Sequence, residues 1–318
     1  MAYSPIDIGN VNTGTRGVPT EMENALKVYG GLVLTAFDRK NMGLGMVKTK
    51  TITSGSSVQF PVIGQSSDAD VQTHTPGTEL SVNQIAVKER VINVDALAYY
   101  SMVINKFEEK ILHFSTRAEL AKQAGEALAT KIDKAVFNKV AEAACTSGVI
   151  GGTQMQPDGT AKSITLTGTA EAKGDLILGA IYDVVATLRG KDVTGDLTFV
   201  TTPVNYNYLV QSSKAIHRDY TSGNGDIAMG NVIEIAGVKI AWSNNLPSTY
   251  DVDGAGAGTA KAVHGLIFNE NCVGVVKLMD ITSESNYLPK ELSTLLTSYY
   301  AYGMGILNPS CAAIVHEA

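Results

Sequence analysis

The sequence predicts an α+β fold, and three observations carry that reading. One uninterrupted helical pattern runs from Thr116 to Cys145, two β patterns between Met46 and Val94 lack a core of their own, and helix alternates with strand from Asp175 to Phe268. The long helix is the element around which the others are organised.

Taken in chain order, Met1 to Thr20 carry few large apolar groups and are expected to form an extended arm that needs a neighbour. In the next stretch, Glu21 to Lys40, the residues Met22, Leu26, Tyr29, Val33 and Phe37 follow helical spacing. Gly30 and Gly31 each weaken a helix by about 1 kcal/mol relative to Ala, so the expectation is a short helix kinked or divided there.

From Met46 the pattern changes to β. Val58, Phe60 and Val62 recur at period two after a Ser54-Gly55-Ser56 turn, and a returning strand runs from Ile85 to Val94. Pro61 marks an edge strand. An isolated two-stranded ribbon is marginal in water, so this one is expected to project and to be stabilised by another subunit. Thr51 to Val87 contain no Lys or Arg but do contain Asp68, Asp70 and Glu79, which suits a basic or polar groove on a partner. Phe60, an aromatic on such a ribbon, is an aggregation hazard unless covered, either by a partner or by its own subunit.

Asn105 to Phe114 reads as a short amphipathic helix. The long helix then starts at a capping box, Thr116 with Glu119, and Gly148 marks its end. Its stripe of Ala121, Ala124, Leu128, Ile132, Ala135 and Val140 is expected to be buried, with Glu119, Lys122, Glu126, Asp133, Lys134 and Glu142 facing elsewhere. At about 1.5 Å per residue it spans roughly 43 Å. Its small side chains allow a helix or sheet to approach closely.

After a Gly/Thr/Ser-rich connection come a helix from Asp175 to Arg189 and a strand from Leu197 to Val200. A helix capped by Thr202 with Pro203 at its first position follows, with Val204, Tyr208 and Leu209 facing inward. Asn231 to Trp242 reads as a hairpin turning at Ala236-Gly237; beyond it lie a flexible DGAGAG tip and a strand from Ala262 to Phe268. The tail from Leu278 to Val315 is mostly β and ends in the apolar run CAAIV.

The chain has 318 residues, 44% hydrophobic and 18% charged, enough for one large or two smaller domains. A net charge of -6 argues against a broad basic surface that grips nucleic acid. The three cysteines, Cys145, Cys272 and Cys311, are odd in number and far apart, which fits a reducing compartment and small buried side chains. Signal-peptide features and a run of roughly 20 apolar residues are both missing, so the chain is expected to be made and first used in cytoplasm. Nucleophile elbow, phosphate loop, dinucleotide fingerprint and zinc-helix motifs are absent. His74, His113, His217, His264 and His316 lie on different elements without ligand spacing. The expectation is a structural protein and not an enzyme, with no catalytic, cofactor-binding or metal residues.

Several stretches carry a resemblance. LKVYGGLVLTAFDRKN (Leu26 to Asn41), ITSGSSVQFPVIG (Ile52 to Gly64), TPGTEL (Thr75 to Leu80), VINVDAL (Val91 to Leu97), the long helix, VGVVKL (Val273 to Leu278) and AYGMGILNPSCAAIV (Ala301 to Val315) follow in family order. In these the chain resembles the major capsid proteins of T7-like short-tailed phages, the podoviruses and autographiviruses with double-stranded DNA. The resemblance covers nearly the whole chain and implies the HK97-like tailed-phage capsid fold. The implied divisions are an N-terminal arm (1–45), an extended β-loop or E-loop (46–95) and a peripheral domain with its spine helix (96–165). An axial domain (166–276), further peripheral strands (277–305) and a returning C-terminal strand (306–318) complete them.

The resemblance further implies pentamers and hexamers in an icosahedral shell that assembles on a separate scaffolding protein and expands on maturation. A portal protein at one vertex, a possible cement protein and enclosed double-stranded DNA complete the implied partners, in a virion assembled in the host bacterial cytoplasm. Contacts between copies are expected at Met22, Leu26, Tyr29, Phe37, Phe60, Asp68, Asp70 and Glu79. Where the family commonly has Arg-Pro-Glu, this chain has Asn308-Pro309-Ser310, so those charged ties do not carry over. The lysine-free ribbon closes the cross-linking chemistry of some relatives of the fold. Two alternatives are a cargo-enclosing encapsulin shell and a cytoplasmic α/β enzyme using Asp175 to Phe268.

Overall fold

In the computed structural model the described residues are 21–64, 71, 73–74, 77, 79, 85, 87–94, 96–105, 107, 116–150, 152–212, 225–226, 231–232, 234–252 and 260–318. The expected arm (Met1 to Thr20), Asp68, Asp70, most of the Asn105 to Phe114 helix and the DGAGAG tip lie outside them.

Helix α1 (Glu21–Lys40) is continuous through Gly30 and Gly31, against the expected break. Tyr29, Val33 and Phe37 are buried along one side. At roughly 1.5–3 kcal/mol each, their burial outweighs the propensity cost of the glycines. Gly30 also lies against Ser283, whose Cβ an added Cβ would meet at 3.8 Å.

A single 3₁₀ turn at Gly43–Met46 leads into β1 (Lys48–Thr51). The ribbon is β2 (Ser57–Ile63) with β3 (Val87–Asn93), followed by β4 (Ala96–Asn105), which sequence reading did not single out. Helix α2 (Thr116–Ala144) begins where the capping box placed it and ends before Gly148. Short strands β5 (Val149–Ile150) and β6 (Thr153–Gln154) precede β7 (Thr160–Ile164).

Helix α3 (Ala170–Gly190) is capped by the Thr169 hydroxyl accepting from Ala172 N; it starts five residues before the expected Asp175 and ends one residue after the expected Arg189. β8 (Leu197–Thr201) feeds α4 (Pro203–Gln211), where Thr202 caps as expected but Val204 is exposed. Then come β9 (Gly225–Asp226), β10 (Asn231–Val232), β11 (Glu234–Ile235) and β12 (Val238–Trp242). The last two form the expected hairpin; its turn residues Ala236 and Gly237 have φ of 55° and 78°, the signs a tight type I′ turn requires. β13 (Thr249–Tyr250), β14 (Lys261–Asn269), β15 (Val273–Leu288), β16 (Ser293–Ile306) and β17 (Ala312–Glu317) finish the chain.

Two main sheets result. One has the order β1-β15-β16-β4, with β1 parallel to β15 and the other pairs antiparallel. The other has the order β11-β12-β8-β14-β17-β7, with β13 on β14. Helix α2 joins them, because its Ile132, Val136, Phe137 and Val140 share one core with Val273, Val275 and Tyr300 of the first sheet and Leu266, Phe268 and Ile314 of the second.

The second sheet is covered on its other face by α3 and α4. Phe199, Ile267, Ala313 and Val315 pack there against Ile177, Ile181 and Leu188. Strands covered on both faces need apolar residues at every position, which is why the final strand reads AAIV without alternation.

The Ala-rich stripe of α2 serves close approach. Ala121 and Ala124 are buried against Tyr29 and Val33 of α1. At Gly125, an added Cβ would lie 2.4 Å from Val33 O. Asp133 departs from its expected outward position, since it is 0% exposed.

Candidate functional site

Among the described residues no group of three or more His, Cys, Asp or Glu is arranged to hold a metal ion, and no helix is long and apolar enough to cross a membrane. What the molecule presents is unpartnered surface. The ribbon β2–β3 pairs Ser57 with Asn93 through to Ile63 with Val87, and the pleat divides it into two faces.

Its inner face carries Val58, Phe60 and Val62 opposite Ile92, Arg90 and Lys88. Val58 and Ile92 pack on Val276 of β15, with Phe60 and Leu307 beside them. Its outer face carries Ile63, Val87 and Val91, all at least half exposed (66%, 63% and 50%). Three exposed apolar side chains among Gln59, Glu89 and other polar neighbours on a two-stranded element are an invitation to pairing or docking.

The ribbon base lies close on the first sheet because three glycines make room. An added Cβ would sit 2.2 Å from Asn93 O at Gly303, 2.6 Å from Ile92 Cγ1 at Gly305 and 3.1 Å from Ile92 Cδ1 at Gly274. Gly303→Ala must therefore displace the ribbon backbone, whereas a flexible side-chain tip could have rotated away. Overpacking of this kind costs about 1–3 kcal/mol. The variant is expected to melt earlier and to expose the β2–β3 amides to faster hydrogen exchange, with α3 unaffected; unchanged ribbon exchange would contradict the assigned role.

A second apolar surface is the face of the first sheet turned away from α1 and α2. Leu97, Tyr99 and Val103 of β4 are exposed at period two, with Tyr99 directly opposite Tyr299, whose hydroxyl donates to Glu284 Oε1 at 2.7 Å. A third is the outer side of α1, where Val28, Leu32 and Leu34 are exposed while Tyr29, Val33 and Phe37 are buried. A helix that is apolar all round is one that ends up covered on all sides.

The predicted contact residues are distributed unevenly over these surfaces. Tyr29 and Phe37, at 3% and 5% exposure, are spent inside their own subunit. That corrects their expected place on a contact surface, because each packs with the apolar residues of α2 and the first sheet. Phe60 is half-buried within its own subunit, with Lys50 Nζ 5.4 Å from its ring centre. Glu79 is exposed. The side chains of Met22 and Leu26, like Asp68 and Asp70, lie outside the described positions. Sequence reading missed Leu97, Tyr99 and Val103, although their period-two spacing was there to be read, and took only one stripe of α1 where there are two.

The junction of these parts is a buried carboxylate. Asp133 accepts from Gly43 N at 2.8 Å, from Met42 N at 3.3 Å and from Asn245 Nδ2 at 3.1 Å. It thereby ties α2 to the end of α1 and to the loop after β12. Burial pushes its carboxyl above the ordinary carboxylate range, against the pull of these donors and of Lys40. Elsewhere Lys191 Nζ donates to Asp158 O, Gly159 O and Thr160 Oγ1 at 2.8, 3.1 and 2.7 Å, fastening the end of α3 to the start of β7.

A family model described as "Gp10A-like: Major capsid protein" matches residues 59–316. The chain is 29% identical to the major capsid protein of Enterobacteria phage T3, over 91% of this chain and 90% of that protein. It is 28% identical to the major capsid protein of Escherichia phage T7, again over 91% of this chain and 90% of the other. The capsid structure of the Cyanophage P-SCSP1u matches with a TM-score of 0.72 at 32% identity, covering 86% of each chain.

Proposed function

Since this chain belongs to the Gp10A-like family of major capsid proteins, we propose that its copies close an icosahedral phage head as pentamers and hexamers around double-stranded DNA. The chain is a major capsid protein with the HK97-like fold, a component of the virion whose copies associate into capsomers. The proposal extends to its course of assembly. Shells form first around a scaffolding protein supplied as a separate chain, a portal protein occupies one vertex, and the shell expands as DNA enters. A cement protein is a further candidate partner on the outer surface.

The division of labour proposed along the chain is an arm (1–45), an extended loop (46–95), a peripheral domain (96–165 and 277–305) and an axial domain (166–276) joined by the last strand (306–318). Met22, Leu26, Phe60, Asp68, Asp70 and Glu79 remain proposed contact residues, joined by the exposed faces of α1, β4 and the ribbon. An acidic chain of net charge -6 suits a wall against which DNA slides without sticking.

The observation that carries this reading is the ribbon. Its outer face exposes Ile63, Val87 and Val91, and two strands alone do not bury enough apolar surface to be stable. Deleting Ser56 to Gln84 is expected to leave a soluble, folded subunit that forms no shells, scored by negative-stain microscopy and sedimentation beside the full chain with a candidate scaffolding protein. Normal shells from the deletion would sink the ribbon's role. Wild-type chain that remains a monomer or dimer with and without scaffold would sink the shell itself.

A further inference from the structure

Arg90 stands on the inner face of the ribbon, directly opposite Phe60, with Lys88 on the same face opposite Val62. Its Nε and Nη2 are sealed from water and have no hydrogen-bond partner. Nη1 is not sealed in this way. The neighbouring carboxylate, Glu89, lies on the other face of the ribbon, where Gln59 Nε2 donates to its Oε1 at 3.4 Å. Lys50 adds a further positive charge against Phe60. The inner face of the ribbon therefore carries Arg90 near its middle and Lys88 toward its far end, with Lys50 beside Phe60, in a subunit whose net charge is -6.

A guanidinium stays charged at any physiological pH. Holding two of its donors away from water without an acceptor carries a desolvation cost, and partial burial pulls its affinity for the proton below the ordinary value. Natural chains keep such a group where a partner supplies the missing charge. The same chain offers that charge: Thr51 to Val87 contain no Lys or Arg while Asp68, Asp70 and Glu79 fall among them. The inner face of the ribbon is thus basic while the sequence between its two strands is acidic, a polarity that suits head-to-tail contact between identical copies.

We propose that the Phe60–Arg90 corner is a carboxylate receptor, filled by an Asp or Glu of an adjacent copy when capsomers assemble. The carboxylate approaches from the open side of the guanidinium and accepts from Nη1; Lys50 and Lys88 strengthen the field, and Phe60 supplies a flat apolar wall. This deepens the shell reading and rests on it.

The test separates subunit from shell. Arg90→Met keeps the length and apolar body of the side chain and removes the charge. In the free subunit it removes an uncompensated cation, so the melting temperature is expected to hold or rise. In the shell it leaves the partner's carboxylate without its cation, so the critical concentration for assembly is expected to rise at least about tenfold. Arg90→Lys, which keeps the charge but loses the planar fork, is expected to fall between.

Arg90→Met shells that assemble and resist denaturant like wild type overturn the inference and leave the shell reading intact. A deficit confined to DNA-filled heads, with empty shells unaffected, overturns it in favour of a phosphate backbone as the ligand. Wild-type chain that forms no shells overturns both.

Discussion

Gly125→Val is expected to strip α1 from α2 and to lower subunit stability by about 3 kcal/mol. An added Cβ at this position would meet Val33 O at 2.4 Å, Ala36 Cβ at 2.9 Å and Phe37 N at 3.0 Å. Two of those atoms are backbone, so the helix itself must move. Overpacking alone costs about 1–3 kcal/mol, and the shift also loosens Tyr29, Val33 and Phe37, which are buried along the same contact.

The paired control is Gly31→Ala. Its added Cβ meets nothing within 4 Å, so in a helix interior it is expected to stabilise by about 1 kcal/mol. Thermal unfolding with hydrogen exchange on α1 reads both. Equal melting temperatures for wild type and Gly125→Val would refute the close crossing as a source of stability.

The second large effect is at Asp133. Asp133→Leu removes the acceptor for Gly43 N, Met42 N and Asn245 Nδ2 together. Each buried donor left unpaired costs about 1–3 kcal/mol, so a loss of about 3–5 kcal/mol is expected. Asp133→Asn keeps one acceptor oxygen and is expected to lose much less.

The pair also sets a pH dependence whose sign is fixed. Burial raises the folded carboxyl above its ordinary value of about 3.9. Between the unfolded and folded values the folded chain holds a proton that the unfolded chain has released. Stability contributed by this group is therefore present at low pH and lost as pH rises through that window. Subtracting the Asp133→Asn melting curve from that of wild type is expected to give a difference that declines upward from about pH 4 and then levels. A difference that climbs instead would mean the hydrogen bonds, and not burial, dominate at this carboxyl.

Much of the fold was legible because local signals and tertiary demands agreed. Thr202 with Pro203 placed the start of α4, Ala236-Gly237 placed the hairpin, and Thr116 with Glu119 placed the start of α2. Agreement failed where a residue's environment is made by distant chain. Gly30 and Gly31 read as a helix break, yet α1 runs through them because Tyr29, Val33 and Phe37 are buried by α2 and the first sheet. Asp133 read as surface because a carboxylate ordinarily seeks water; three donors, two from residues 42–43 and one from Asn245, hold it inside. Val204 read as core by its helical spacing but faces outward, since α4 is short and packs through Leu209.

The sequence by itself determined the family, the long helix with its small-residue stripe, and a ribbon that cannot stand alone. The family shows in stretches of resemblance, while the helix and the ribbon follow from period, caps and composition, which act within a few residues. Only the tertiary structure decided which surfaces remain unpaired. A helix with two apolar stripes can bury either, and α2 selected the Tyr29 side at Gly125, leaving Val28, Leu32 and Leu34 outside. The ribbon likewise has two faces with apolar residues, and three glycines of the first sheet drew one of them down and left Ile63, Val87 and Val91 in water. Which apolar face a subunit keeps and which it offers depends on where backbones can touch, and that is a property of packing between elements far apart in the chain.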